Sequence, residues 1–247
     1  MEQSFETAAE FYETLANKQG RLEREGPFLL QQLAAVPGNR LVDLACGVGL
    51  HAAYLAENGA DVIAADLSEG MIAHARQHHS HPNVTYCVAD MRTPPGSPWA
   101  LALCLGNGLS LLPNQAAVRE TFAAVYEGLI QKGRFMMQIL NYAAPFALET
   151  RHRVAGARVG GVEVTAIKTF APHEKRTFLS LSFFAEHGSE VRSVSETAVL
   201  RHIYREELEH HALAVGFKTV GCFVGYAGGE FDQSRSADLL LLLEKPA

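Results

Sequence analysis

The chain has 247 residues, which suits one large α/β domain or a domain with a modest insertion. Apolar residues make up 48%, ample for a buried parallel sheet, and a net charge of −6 with scattered Lys and Arg argues against a nucleic-acid substrate, which needs a basic footprint. The acidic opening MEQSFETAAEF does not read as a signal peptide, and no apolar run approaches the length of a membrane span.

The cysteines (Cys46, Cys87, Cys104, Cys222) show no CxxC spacing. They read as small core residues in a reducing compartment, so the expected setting is the cytoplasm. Residues 1–39 are expected to form a helical cover. Phe5 to Asn17 and Leu22 to Leu33 have helical spacing, interrupted by Gly20 and by Gly26-Pro27. Phe5, Phe11, Tyr12 and Leu15 make an apolar face that either packs on a sheet or covers a ligand. Pro37-Gly38 then turns the chain into its first strand.

The stretch from Arg40 to Asp66 organises everything else. A short apolar strand from Leu41 to Ala45 turns through Cys46-Gly47-Val48-Gly49, climbs a helix from Leu50 to Asn58 and returns along Asp61 to Ala65. Such a strand–glycine turn–helix–strand unit ending on an acid holds an adenosine-containing cofactor at the carboxyl edge of a parallel sheet. Gly47 and Gly49 let the backbone approach a ligand where any Cβ would collide. Asp66 can accept two hydrogen bonds from a ribose diol. Read as G-x-G-x-x-A (Gly47, Gly49, Ala52), the unit also satisfies the dinucleotide fingerprint. Asp43 shifts the balance, because a carboxylate inside the strand is costly unless it meets a donor, and a ligand ammonium group would be one.

Ser68 caps a helix from Glu69 to His79, and Asn83 to Ala89 is a third strand that delivers Asp90-Met91 to the same crevice as Asp66. His74, His78, His79 and His81 lie near the far end of the second helix, so a solvated face is expected there and no metal. After the Pro94-Pro95-Gly96 loop, Trp99 to Leu105 is a fourth strand ending in Gly106-Asn107-Gly108. Asn114 caps a helix from Gln115 to Ile130, and Gly133 to Asn141 is the fifth strand, followed by Tyr142.

Then the pattern changes. Several β-rich runs occupy Val154 to Ile203, with hairpin turns at Gly160-Gly161, Pro172-His173-Glu174 and His187-Gly188-Ser189. Hairpins inserted here would overhang the crevice as a substrate lid. A helix from Arg205 to Val215, closed by Gly216, leads to a final strand pair, Phe217 to Val224 and Ala237 to Glu244. The expected division is therefore a cover (1–39), a cofactor-binding core (40–145), a lid (146–203) and a closing segment (204–247).

Asp-Leu-Ala-Cys-Gly-Val-Gly at 43–49 resembles the first motif of the class I S-adenosylmethionine-dependent methyltransferases. Leu105-Gly106-Asn107 and Asn141-Tyr142 resemble the glycine and sarcosine N-methyltransferases within that family. The resemblance covers residues 40–142 well and the closing segment by pattern. It implies an α/β, doubly wound, seven-stranded, mostly parallel sheet (Rossmann-like) with a β-rich antiparallel insertion after the fifth strand. It also implies S-adenosyl-L-methionine as cofactor. Asp43, Ala45, Gly47 and Gly49 would run beneath its methionine portion, and Asp66 with Leu67 would take the ribose. Asp90 and Met91 would take the adenine, and the backbone at Leu105 and Gly106 would face the cofactor. Arg21 matches an arginine that binds the cofactor carboxylate, and Tyr12 an aromatic on the same flap.

The chain lacks the Asn-Pro-Pro-aromatic tetrapeptide of enzymes that methylate nucleic-acid bases, so a small-molecule acceptor is expected, with nitrogen favoured. Asn107 either orients the acceptor or stabilises its turn. A hydroxyl acceptor would need a base, for which Tyr142 and His152 are the candidates. An oxygen acceptor, a dinucleotide oxidoreductase and a cofactor-binding protein without transfer chemistry remain as alternatives, and the oligomeric state is open.

Overall fold

The computed structural model describes residues 20–159, 162–187 and 190–247. Short apolar runs separated by amphipathic helices make the first group of strands: β1 (Arg40–Leu44), β2 (Asp61–Asp66), β3 (Val84–Val88), β4 (Trp99–Cys104) and β5 (Leu129–Leu140). Four long strands follow, β6 (Arg151–Val159), β7 (Val162–His173), β8 (Arg176–His187) and β9 (Glu190–Arg201). The chain closes with β10 (Lys218–Phe223) and β11 (Asp238–Glu244). The helices are α1 (Arg21–Ala34), α2 (Leu50–Glu57), α3 (Glu69–His78), α4 (Gln115–Gly128) and α5 (Arg205–Val215).

The main sheet has 7 strands in the order β10-β11-β5-β4-β1-β2-β3. β1 to β5 run parallel, and β11 is antiparallel to both of its neighbours. The strand order reverses at β1, between β2 and β4, and a ligand crevice opens at the carboxyl ends there. Both faces are covered, which explains the near-continuous apolar strands. Phe28, Leu29, Leu55 and Ile72 pack on the face that carries Met136 and Leu240. Phe122, Val125 and Leu208 pack on the face that carries Phe135 and Met137.

Three boundaries differ from the sequence expectation, each for a packing reason. α1 runs unbroken through Gly26 and Pro27. A Cβ at Gly26 would stand 2.6 Å from the Tyr54 ring, so this glycine lets α1 lie close against α2, while burial of Phe28, Leu29 and Leu33 sustains the helix beyond Pro27. α4 stops at Gly128, two residues early, because Leu129 already pairs with Trp99 in the sheet. The middle hairpin of the insertion turns at Glu174, whose φ is 51, and Pro172 and His173 belong to β7. The helix expected over Phe5 to Asn17 and the turns at Gly160-Gly161 and Gly188-Ser189 lie outside the described residues.

β6 to β9 form a separate 4-stranded antiparallel sheet inserted between β5 and α5. Phe170, Leu179, Ala198 and Leu200 join the core cluster that contains Leu109 and Leu112. Val164, Ala166, Leu181 and Phe183, on the same side of the sheet by register, are also buried. On the opposite side Val154 and Val191 are 68% and 62% exposed. The insertion thus has an inner and an outer face.

Candidate functional site

The crevice is built on two turns of left-handed backbone. After β1, Ala45 takes a φ of 54 and Gly47 a φ of 57. A residue with a Cβ adopts this region at a cost, and such strain clusters where a ligand is held. A Cβ added at Gly47 would meet nothing within 4 Å, so the turn is bare on its outer side. After β4, Gly106 and Asn107 repeat the conformation with φ of 66 and 76. Gly49 is set back from this surface; it caps α2, where a Cβ would strike the Tyr86 ring at 2.7 Å.

Asp43 reaches the cleft from within β1. It is 2% exposed and its Oδ2 has no hydrogen-bond partner. Burial pushes its carboxyl up to about 7, with Arg21 opposing and Asp66 adding to the rise. Arg21, Ala45, Gly47, His51, Leu105 and Gly106 line the cleft beside it. A buried carboxylate without a donor is costly. A cationic ligand group would remove that cost.

Asp66 holds the glycine turn. Its Oδ2 accepts from the Gly47 N–H at 2.8 Å and its Oδ1 from the Ser68 N–H at 3.0 Å. A carboxylate presents about four lone-pair sites, so these two bonds do not exhaust it. The cap of α3 is Ser68, which accepts from the Met71 N–H. Leu67, beside it, is 71% exposed. At the end of β3 the Asp90 carboxylate is gripped by the Arg92 Nε–H, 3.0 Å from both oxygens, and this pairing holds it below the usual range. Met91 packs against the edge of the core.

The first turn of α1 adds a charged group. Arg21 Nε donates to both oxygens of Glu25 at 3.2 Å, and Glu25 Oε2 lies 2.7 Å from His51 Nε2 on α2. A Cβ at Gly106 would lie 3.3 Å from Arg21 Nη2. On its other side, the Gly106 N–H donates to Gln138 Oε1 at 2.8 Å, and Gln138 Nε2 donates to Asp238 Oδ1 at 2.9 Å. Burial raises the Asp238 carboxyl, against the pull of Gln138 and of Arg153 and Lys168 on the insertion. The nearby Tyr226 hydroxyl is buried without a partner.

Of the residues expected from sequence, the cleft brings together Arg21, Asp43, Ala45, Gly47, Leu105 and Gly106. Asn107 serves its turn, its Oδ1 accepting from the Leu140 N–H at 2.7 Å. Two expectations are corrected. Tyr142 is 2% exposed, donates its hydroxyl to Ser110 Oγ and stacks on His202, and burial pushes its phenol up. That environment removes it as a base. His152 pairs with Thr169 on the outer face of the insertion, 3.0 Å from its hydroxyl, and so stands away from the crevice. Tyr12 lies outside the described residues. Glu25, His51, Gln138, Asp238 and Tyr226 were not anticipated. The spacing of Arg21 and Glu25, one helical turn apart, was the available signal for the first of them.

A methyltransferase-domain family model matches residues 41–133. The glycine/sarcosine N-methyltransferase of Halorhodospira halochloris is 29% identical over 136 residues, covering 53% of this chain and 51% of that protein. The chain therefore spans about half the length of this curated relative. Among solved structures, an S-adenosylmethionine-dependent methyltransferase from Clostridium acetobutylicum superposes with a TM-score of 0.79 at 16% identity, over 96% of this chain and 99% of that one. An amino pentose methyltransferase from Micromonospora echinaspora, solved with S-adenosylmethionine, gives a TM-score of 0.74 at 22% identity, over 95% and 96%. At these identities the structures establish a shared fold.

Proposed function

We propose that this chain, which belongs to the class I S-adenosylmethionine-dependent methyltransferases, moves a methyl group from that cofactor to a nitrogen of a small molecule. One observation carries the cofactor reading: the buried, unpartnered oxygen of Asp43 in a cleft floored by a bare glycine turn. A dinucleotide would bring pyrophosphate charge beside this acid. The amino-acid portion of S-adenosylmethionine brings an ammonium group instead.

Asp43, Ala45 and Gly47 would hold that portion, with Arg21 on its carboxylate. Leu105 and Gly106 would face the reacting end, and Asp66 with Leu67 the ribose. Asp90 would share its carboxylate between Arg92 and the adenine, with Met91 on the ring. When bound, the cofactor supplies a sulfonium methyl open to in-line attack. The chain's task is then to hold the acceptor in line, which can lower the barrier by roughly 7–11 kcal/mol.

Nitrogen is favoured because a neutral amine needs no strong base during transfer, and of the candidate bases Tyr142 is buried against Ser110 and His152 lies on the outer face of the insertion. Asp238 and the Tyr226 hydroxyl oxygen would each accept from the N–H groups of an amine beyond Gly106, leaving its lone pair for the methyl. The likeness to glycine/sarcosine N-methyltransferases supports the same choice. Free cysteines throughout support a cytoplasmic setting, and no described helix is long and apolar enough to cross a membrane.

A thermal melt tests the cofactor. A ligand at a hundred times its Kd stabilises by about 2.7 kcal/mol, so adenosylhomocysteine should raise Tm by roughly 5–10 °C. NAD and NADP should leave Tm unchanged. A shift with NAD and none with adenosylhomocysteine would sink the assignment.

The insertion would be the lid that selects the acceptor, its inner face carrying Arg153 and Lys168 towards Asp238. Substituting either cation is expected to change turnover across a panel of amines while adenosylhomocysteine affinity stays within about twofold. Calorimetry showing that affinity collapse would make the insertion part of the cofactor site.

A further inference from the structure

The cluster Arg21–Glu25–His51 invites a role beyond tying α1 to α2. Glu25 and His51 are 8% and 6% exposed, so a carboxylate and an imidazole have been taken out of water together. Buried ion pairs are weak evidence for stability, since apolar side chains of similar size hold helices together as well or better. The position of this one is informative. All of its charge converges on a single guanidinium whose Nη2 reaches the Gly106 turn, at the wall of the cleft that holds Asp43.

The hydrogen-bond logic fixes the roles. Burial raises the Glu25 carboxyl, but His51 and Arg21 outweigh it and hold it below the ordinary value, so Glu25 is ionised at neutral pH. Burial lowers His51, which is therefore neutral and donates its Nε2–H to Glu25. An ionised carboxylate only accepts, so it takes one bond from His51 and a forked contact from Arg21 Nε. The histidine fixes the carboxylate, and the carboxylate fixes the plane of the guanidinium. An arginine side chain on the first turn of a helix otherwise has several rotamers to lose on binding.

Building on the cofactor reading above, we infer that Glu25, locked by His51, is a positioning residue that presents Arg21 to the carboxylate of the cofactor's amino-acid portion. Two probes separate this from a merely structural ion pair. Adenosylhomocysteine carries the amino-acid portion, and 5′-methylthioadenosine lacks it.

Calorimetric titration of Glu25→Gln should show adenosylhomocysteine bound roughly tenfold more weakly, with methylthioadenosine affinity unchanged. Because Glu25 acts through Arg21, the double variant Arg21→Ala with Glu25→Gln should bind adenosylhomocysteine no more weakly than Arg21→Ala alone. His51→Leu, which leaves the Arg21–Glu25 pair in place, should give a smaller loss of the same selectivity and serves if Glu25→Gln does not fold. Equal loss of both probes, no loss of either, or additive losses in the double variant would overturn the positioning role alone. Wild-type protein that binds neither probe would overturn the cofactor reading and this inference with it.

Discussion

Replacing Asp43 by asparagine is expected to weaken adenosylhomocysteine binding by about a hundred- to a thousandfold, while the free protein becomes no less stable. Removing one partner of a buried charge pair costs about 3–5 kcal/mol, and each tenfold in affinity is about 1.4 kcal/mol. The free protein gains because the buried carboxylate, with an unpartnered oxygen, is replaced by a neutral amide.

A pH series sharpens the test. The folded carboxyl stands at about 7 against a reference of 3.8, so stability drawn from burying it neutral is full below 3.8 and falls away as pH rises through 7. A ligand ammonium requires the ionised form. Affinity should therefore rise with pH up to about 7 and level off above it, with a proton released on binding at lower pH. Calorimetry in buffers of different ionisation enthalpy reads that proton directly. Asp43→Asn should lose the slope. Unaltered affinity and an unaltered pH profile in the variant would refute the ammonium role.

Asp66→Asn is expected to lower both affinity and stability. Loss of charged hydrogen bonds to a ribose diol, each about 1.5–3 kcal/mol and not independent, predicts binding weaker by roughly ten- to a hundredfold. The amide also sets a donor against one of two donors, the N–H of Gly47 or of Ser68. That mismatch should cost about 1–3 kcal/mol of folding stability in a denaturant melt. A stability loss of that size with full affinity would leave Asp66 as a support of the glycine turn only.

Asp66 illustrates what the sequence could and could not say. A strand, a glycine turn, a helix and a second strand ending on an acid are local patterns, and β1 to β4 follow them closely. That the same acid would also clasp the Gly47 amide depends on the register of β1 against β2, which no local pattern states. Gly26-Pro27 reads as a helix break, yet the glycine is there because Tyr54 presses on it from another helix. Tyr142 is near the crevice in the chain, but its burial is decided by His202, which only the closed insertion brings up against it. Glu25 stands one helical turn from Arg21, but its pairing with His51 was invisible for the same reason: it lies in a contact between two helices.

That stack of Tyr142 on His202, with ring centroids 4.4 Å apart, has an architectural consequence. The chain leaves the main sheet just before Tyr142 and comes back to α5, which packs on that sheet, just after His202, so the whole excursion starts and finishes at one place. Asn141 pins the departure by donating to the carbonyls of Gln233 and Ser236, and Thr177 meets His202 at the return. A segment anchored in this way behaves as an exchangeable cassette: its length and contents can drift, or be swapped for another set of strands, without disturbing the order of the seven that carry it. Were the insertion the acceptor-selecting lid proposed above, new acceptors would need only new cassettes fitted to the same aromatic clasp.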